Sequence, residues 1–287
     1  MGNLVTVYIP TKNRERLLRR AVQSVLSQTH QNIELIIVSD GSTDGTCDYV
    51  NSLRGGAIAV TLIHNEQSVG ACAARNQAIA VASGDFITGL DDDDIFLPQR
   101  LEAFVSEWQR LQQSGENFSC LFDRRIVNVG EQVWLWDTDD MVDATRIRRA
   151  NAVGNQVFTT PARMKAAGGF DAGMPAWQDW EMWVRLINSA GPARSIKANT
   201  YIMDISHEFE RITLKSSEKI RAAAKMFYQK HCQPADLPGV LCSLGGYDQI
   251  RLTLNDMAVI LRSEQAKFAV RKIMDGKFQM SMASSLN

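Results

Sequence analysis

From Leu4 to Leu90 the chain keeps switching its hydrophobic period. "LVTVYI" (Leu4 to Ile9), "IELIIVSD" (Ile33 to Asp40), "IAVTLIH" (Ile58 to His64) and "FITGL" (Phe86 to Leu90) are short β-rich runs. Between them apolar residues recur at helical spacing, as in Leu17, Leu18, Ala21, Val22, Val25 and Leu26. The second run is apolar at successive positions, the pattern of a strand buried on both faces. Such alternation specifies βαβ units: an α/β fold with a mostly parallel central sheet flanked by helices. Ligands of open parallel sheets bind beyond the carboxyl ends of the strands. Pro10, Thr11, Asp40 and the run Asp91 to Asp94 each close or follow a strand, so this topology gathers them along one edge.

Beyond Leu97 the pattern loosens. The sequence predicts a helix over 98–114, then strands in "FSCLFDRRIVNVG" and "QVWLW" joined by a turn at Gly130. A short helix and glycine turn in "PARMKAAGGFD" precede the helix "WQDWEMWVRLINSA". The strand "SIKANTYIMDI", a helix over about 217–231 and one or two tail helices follow. Ser42 or Thr43 is the expected N-cap of the second helix.

Composition removes several classes. A net charge of −1 gives no basic field for nucleic acid. The five cysteines include no C-x-x-C pair, so free thiols fit better than a zinc knot or disulfide framework. The N-terminal apolar stretch is too short for a signal peptide, and no run approaches the ~18 to 20 apolar residues of a membrane span. The expected location is cytoplasmic.

Four adjacent carboxylates repel, and a folded chain tolerates them only with compensation. A solvated acidic loop is the plain explanation, but the run ends a strand on the ligand edge. Asp91 and Asp93 could both reach one hard divalent cation, which prefers oxygen ligands. Asp40 could be part of a turn, or could accept from a nucleobase N–H. Arg75 lies in an alanine-lined helix, where a buried guanidinium needs a partner. That partner is an aspartate or a diphosphate. Asp179 and Glu181 open a helix, where acids complement the dipole; two apart, only one of them faces a shared site. Trp183 suits the core, whereas Trp177 or Trp180 could offer a platform to a sugar face. His30, His64 and His231 read as structural.

Taken together, "YIPTKNR", "IIVSDGSTDGT", "GACAARNQAI", "LDDDD" and "QDWEMW" resemble, in that order, the motifs of family 2 glycosyltransferases with the GT-A fold. Ser39 stands where the family usually has a first acidic residue. The resemblance covers roughly residues 4 to 230 and is nearest to colanic-acid-type and lipopolysaccharide-core (rhamnosyl) transferases of bacteria. It implies a GT-A domain over 1–235, with a nucleotide-binding half over about 1–97 and an acceptor half over about 98–235. A helical C-terminal extension would fill 236–287. The implied reaction is inverting transfer from a UDP-, dTDP- or GDP-sugar to a hydroxyl of a glycan or lipid-linked saccharide, with Mn²⁺ or Mg²⁺.

By the same resemblance Pro10, Thr11, Asn13 and Asp40 would hold base and ribose. Arg75 would face the diphosphate or brace the acidic loop, and Asp91 and Asp92 would face the ribose or donor sugar. Asp93, Asp91 and His207 would bind the metal. Asp179 would be the general base, with Glu181 as runner-up, and Arg211, Trp177 and Trp180 would contact phosphate or acceptor. Three other readings compete. A sugar nucleotidylyltransferase needs a glycine-rich loop that "IPTKNRERLL" lacks, and a dehydrogenase needs a G-x-G-x-x-G that follows no strand here. A non-catalytic nucleotide-sugar or glycan-binding module is separable only by turnover. The basic, amphipathic tail could rest on the inner membrane surface or pack on its own domain.

Overall fold

The computed structural model describes residues 2–130, 132–206, 216–274 and 278–279. The first half runs β1 (Val5–Thr11), α1 (Glu15–Leu26), β2 (Ile33–Asp40), α2 (Thr46–Ser52), β3 (Ala59–Asn65), α3 (Ala71–Val81) and β4 (Phe86–Gly89). These strands pair in parallel in the order β3-β2-β1-β4. Alternate residues of each strand enter opposite cores. Val5, Val7, Ile9, Leu35 and Ile37 meet α1 and α4 (Arg100–Gln113) on one face, while Tyr8, Ile36 and Val38 meet α3 and α7 (Gln178–Ala190) on the other. Fully burying each large aliphatic side chain contributes roughly 1.5–3 kcal/mol, which is why the strands read as continuous apolar runs.

Next come β5 (Ile95–Phe96), α4 (Arg100–Gln113), β6 (Cys120–Asn128), β7 (Val133–Trp136), β8 (Met141–Val142), α5 (Ala144–Arg149), β9 (Phe158–Thr159), α6 (Pro161–Ala166), α7 (Gln178–Ala190) and β10 (Ala193–Asp204). The sheet extends as β4-β9-β6-β10-β5, with β7 paired to β6 and β8 to β10. Strand β9 is antiparallel to both β4 and β6, so β6 and β10 run parallel to β1. The carboxyl ends at Thr11, Asp40, Gly89, Asn128 and Asp204 therefore share one edge. Pro10 is tolerated in β1 because β4 pairs only as far as Tyr8, leaving no ladder donor required on that side.

Helix α2 starts later than the sequence predicts. The side chain of Asp44, not Ser42 or Thr43, accepts the Thr46 N–H at 3.1 Å, while Ser42 Oγ accepts from the Asn13 backbone.

The chain finishes with α8 (Ser217–His231), α9 (Leu237–Gly245), β11 (Leu252–Thr253), α10 (Leu254–Leu261), α11 (Ala266–Met274) and β12 (Phe278–Gln279). Leu241, Leu244, Leu252, Met257 and Ile260 bury themselves against Ile220 and Ala224 of α8. Much of the tail's apolar face thus packs within the protein, although Val270, Ile273 and Met274 remain exposed. No described helix is long and apolar enough to cross a membrane.

Candidate active site

Each aspartate of the run after β4 has its own compensation. Asp91 accepts from Arg75 Nη2 and Gln156 Nε2 on one oxygen and from Asn155 Nδ2 on the other, each at 3.1 Å. Asp92 accepts from Thr11 Oγ1 at 2.7 Å and from Arg14 Nη1 at 3.1 Å. The same Arg14 nitrogen lies 3.3 Å from Asp93 Oδ2. Asp94 is buried, accepting from Tyr201 Oη at 2.6 Å, from Asn155, and from the Asp204 backbone. Burial, with Asp93 beside it, pushes Asp92 up to about 6 against the pull of Arg14. Burial next to Asp91 and Asp93 likewise raises Asp94 well above the carboxylate range. The four charges are thus graded from a partly open pair, Asp91 and Asp93, to a structural anchor, Asp94.

Helix α3 connects this loop to the opposite wall. Arg75 is 5% exposed; its guanidinium bonds Asp91 and brings Nη1 to 4.0 Å from Asp179 Oδ1. Burial would lower its pKa, but the paired carboxylates Asp179 and Asp91 raise it instead. The adjacent Asn76 bonds both the N–H and the carbonyl of Phe170, at 2.8 Å each. That pairing pins the segment before α7 against α3. Trp177, at φ 58° in the left-handed region, then turns the chain into α7. The result places Asp179, whose side chain keeps 27% of its exposure, beside the β4 aspartates although 88 residues separate Asp91 from Asp179.

Several expected site residues have other work. Asp40 Oδ1 accepts from Asn65 Nδ2 and the Val69 N–H, and Oδ2 from Ser68 Oγ and the Gly70 N–H. Four donors fill the lone-pair sites of a carboxylate, so in this structure Asp40 orders the loop before α3 and has no site left for a nucleobase. Burial opposes ionisation there, and these bonds hold its carboxyl below the usual range.

Glu181 is 1% exposed and turned away from Asp179. It accepts from Arg185 and from His231 Nε2 at 2.9 Å. Burial works against the charge, but His231 and Arg185 hold its carboxyl down at about 2. That environment does not suit the runner-up base.

Trp180 is buried with its indole N–H on the Ile147 carbonyl, and Trp177 donates to Tyr247 Oη at 2.9 Å. Trp180 therefore presents no ring face to a sugar, and Trp177 is tied to the tail. Asn13, at φ 52°, accepts the Thr43 N–H at 2.7 Å and so joins the loops after β1 and β2. His207 and Arg211 lie outside the described residues.

The sequence reading missed Arg14, Asn155, Gln156 and Tyr201. Arg14 had a usable signal, since it is a cation in the loop after β1 on the ligand edge. Asn155 and Gln156 form an amide pair ahead of the apolar "VF", but their reach to Asp91 depends on β9 lying next to β4. The donor set at the edge is hard oxygen, with side-chain exposures of 24% for Asp91 and 12% for Asp93. Among the described residues no three His, Cys, Asp or Glu side chains converge as a ready metal site. A Mg²⁺ or Mn²⁺ ion that completes its shell with water and substrate phosphate fits such a pair.

A protein of Escherichia coli K12 named for a glycosyl transferase role in colanic acid biosynthesis (WcaA) is 37% identical over 236 residues, spanning 79% of this chain and 81% of that protein. The E. coli enzyme WfgD, a UDP-Glc:α-D-GlcNAc-diphosphoundecaprenol β-1,3-glucosyltransferase, is 40% identical over 103 residues, 36% of this chain and 40% of its own. A crystal structure of S. aureus TarS with UDP-GlcNAc superimposes with a TM-score of 0.66 at 15% identity, covering 98% of this chain and 93% of that one. The mannosyltransferase PcManGT of Pyrobaculum calidifontis, in complex with GDP-Man and Mn²⁺, gives 0.61 at 14% identity, covering 96% and 75%. These likenesses show the GT-A fold. Residues 6–164 match the sequence model of Glycosyl transferase family 2, and the chain belongs to that family.

Proposed function

We propose that this protein is an inverting, divalent-metal-dependent glycosyltransferase of bacterial cell-surface polysaccharide assembly. It would move a sugar from a nucleoside diphosphate to a hydroxyl of a glycan or lipid-linked acceptor. The observation that carries this reading is the bridge by Arg75 between Asp91 at the end of β4 and Asp179 at the start of α7. A cation-binding carboxylate and a partly open carboxylate thereby flank one space, as a donor and an acceptor hydroxyl require.

In this mechanism the acceptor oxygen attacks the anomeric carbon from the face opposite the diphosphate. Asp179 takes the hydroxyl proton, and the bond from the anomeric carbon to the diphosphate oxygen breaks with its electron pair on the leaving group. A positioned carboxylate base contributes typically 10²- to 10⁴-fold. Asp93 and Asp91 would hold the cation, whose chemistry is to neutralise charge developing on the diphosphate. Arg75 and Arg14 add fixed positive charge beside the same oxygens. Thr11 and Asn13 shape the loops against which base and ribose would rest.

A lipid-linked acceptor would bring the protein to the inner face of the cytoplasmic membrane. The test is incubation with Mn²⁺ and UDP-, GDP- and dTDP-sugars, measuring nucleoside diphosphate release with and without added saccharide acceptors. Release that rises with acceptor supports transfer. Binding without release over all acceptors would instead make the protein a non-catalytic module.

A further inference from the structure

The guanidinium of Arg125 is the anomaly of the acceptor half. Its neighbour Arg124 pairs with Asp137 at 2.8 Å. Arg125, half-buried in β6, has an Nε sealed from solvent with no hydrogen-bond partner among the described residues, and no carboxylate there pairs with it. The nearest acids are engaged elsewhere: Asp123 holds Arg100 at 2.8 Å and Thr200, and Asp94 holds Tyr201 and Asn155. Burial therefore pushes the Arg125 guanidinium down from its ordinary range. A desolvated cation with no carboxylate partner among the described residues is costly, and an anionic ligand would supply the counter-charge.

Its position is informative. Arg125 lies against Gly154, where a Cβ would come within 2.7 Å of Nη1. The next residue, Asn155, bonds Asp91 and Asp94. On the other side Arg125 packs over the ring of Trp136, 5.3 Å from its centroid. Trp136 is directly opposite Arg125 in the β6–β7 ladder, and Trp134 is opposite Val127. Both indoles thus share one face of the hairpin, and they are 53% and 46% exposed. One continuous line runs from Asp91 through Asn155, Gly154 and Arg125 to an aromatic surface.

We propose that the β6–β7 hairpin is the acceptor platform and that it selects an anionic saccharide, with Trp136 stacked on a sugar face and Arg125 bonded to a phosphate or carboxylate of the acceptor. This deepens the transferase reading and rests on it. The chemistry shared by a lipid-linked sugar phosphate and a uronic acid is an oxyanion beside a pyranose ring. Arg offers such a group a planar, bidentate fork, and the indole offers the ring's C–H face an apolar surface. The rim acids Asp137, Asp139 and Asp140 pair with Arg124, Arg146 and Lys197. They leave Arg125 as the cation facing the site from this hairpin.

The test titrates N-acetylglucosamine 1-phosphate, methyl glucuronide, neutral methyl glucoside and phosphatidylglycerol vesicles into the full chain by calorimetry. UDP-, GDP- and dTDP-sugars are titrated in parallel. The expected result is binding of one anionic sugar about 10- to 100-fold tighter than the neutral one, the range for a charge-assisted hydrogen bond. Whether the phosphate or the carboxylate arm shows this identifies the source of the anion. Arg125→Met should erase the preference, Arg125→Lys should retain part of it, and Trp136→Ala should weaken every sugar several-fold. Donor Kd should stay within about twofold in all three variants, which a general loss of structure would not allow. Equal affinity for anionic and neutral sugars, a preference that survives Arg125→Met, or binding to vesicles alone would overturn the platform while nucleotide-sugar binding stands. Loss of nucleotide-sugar binding in the unmodified protein would overturn the transferase reading itself.

Discussion

Asp179 and Glu181 are both acidic and two residues apart, yet the structure gives them opposite dependences, which Asp179→Asn and Glu181→Gln measure together. Glu181 is sealed in, with Arg185 and His231 on its oxygens. Its fall from the ordinary 4.5 to about 2 corresponds to roughly 3 kcal/mol at 1.36 kcal/mol per pH unit. Arg185 keeps 24% of its exposure, so solvent screens part of this. A loss of about 2–3 kcal/mol for Glu181→Gln is therefore expected. At about 2–4 °C per kcal/mol for a chain of this size, Tm should drop by about 4–12 °C.

The sign with pH follows from the depressed carboxyl. Its contribution is complete above pH 4.5 and is lost as pH falls toward 2. The gap in Tm between the unmodified protein and Glu181→Gln should thus narrow on acidification. Asp179 is partly open and lies 4.0 Å from the guanidinium of Arg75, which keeps Asp91 as a partner, so Asp179→Asn should lower Tm by less than Glu181→Gln does. It should lower kcat by about 10²- to 10⁴-fold. Scanning fluorimetry from pH 3 to 8 and diphosphate release at a temperature where both variants are folded complete the assay. Folded Glu181→Gln with no turnover, beside an active Asp179→Asn, would refute the assignment of the base.

Other substitutions probe the framework. Gly89→Ala would set a Cβ 2.1 Å from Gln156 Oε1 and 2.6 Å from Tyr8 Cζ. Overpacking at this buried spot should cost about 1–3 kcal/mol in a denaturant titration and weaken turnover by displacing Gln156 from Asp91. Asp40→Ala strands four donors and should cost about 2–4 kcal/mol by the same titration. It should leave the ratio of UDP to GDP affinity unchanged, because Asp40 faces its own loop. Chelation by EDTA should abolish transfer and Mn²⁺ restore it, while Asp93→Asn should raise the Mn²⁺ concentration for half-maximal rate at least about tenfold. Truncation at Gly239 should lower Tm by uncovering Ile220 and Ala224. Sedimentation with anionic liposomes that is unchanged by the truncation would exclude the tail as a membrane contact.

The sheet was legible because a parallel strand flanked by helices must be apolar on both faces. Leu35, Ile36, Ile37 and Val38 supply alternate residues to two cores, and the run's shortness and β-branched content separate it from a buried helix. The edge itself was legible by topology alone, since strand ends in a βαβ series must coincide. Side-chain allegiance was not. The four bonds to Asp40 come from residues 25 to 30 positions away, in a loop whose turn is set by Gly70 at φ 92°. Trp183 is core as expected, but the exposure of Trp180 was not legible, because "QDWEMW" lies on a helix covered on one side by α5 and on another by α8. Trp180 bonds the Ile147 carbonyl of α5 and packs, tilted, against Phe227 of α8. The exposed indoles instead belong to "VWLW", an edge strand that short-range pattern cannot distinguish from a buried one.

The acidic run shows why such a site survives in a folded chain. Four neighbouring carboxylates would destabilise the loop if all faced water or all faced the core. Here adjacent residues diverge, and each finds a different element: Arg75 of α3, Thr11 of β1, Arg14 before α1, and Tyr201 of β10. The loop is consequently held by partners from both halves of the chain. Arg75 has a second anchor at Asp179, and Asn76 fixes the approach to α7. A change in charge at Asp91, whether from a bound cation or a substitution, would be felt by Arg75 and through it by Asp179. Measured as a double-mutant cycle, Asp91→Asn and Asp179→Asn should therefore couple in kcat, whereas Asp94→Asn, turned toward Tyr201, should combine additively with Asp179→Asn.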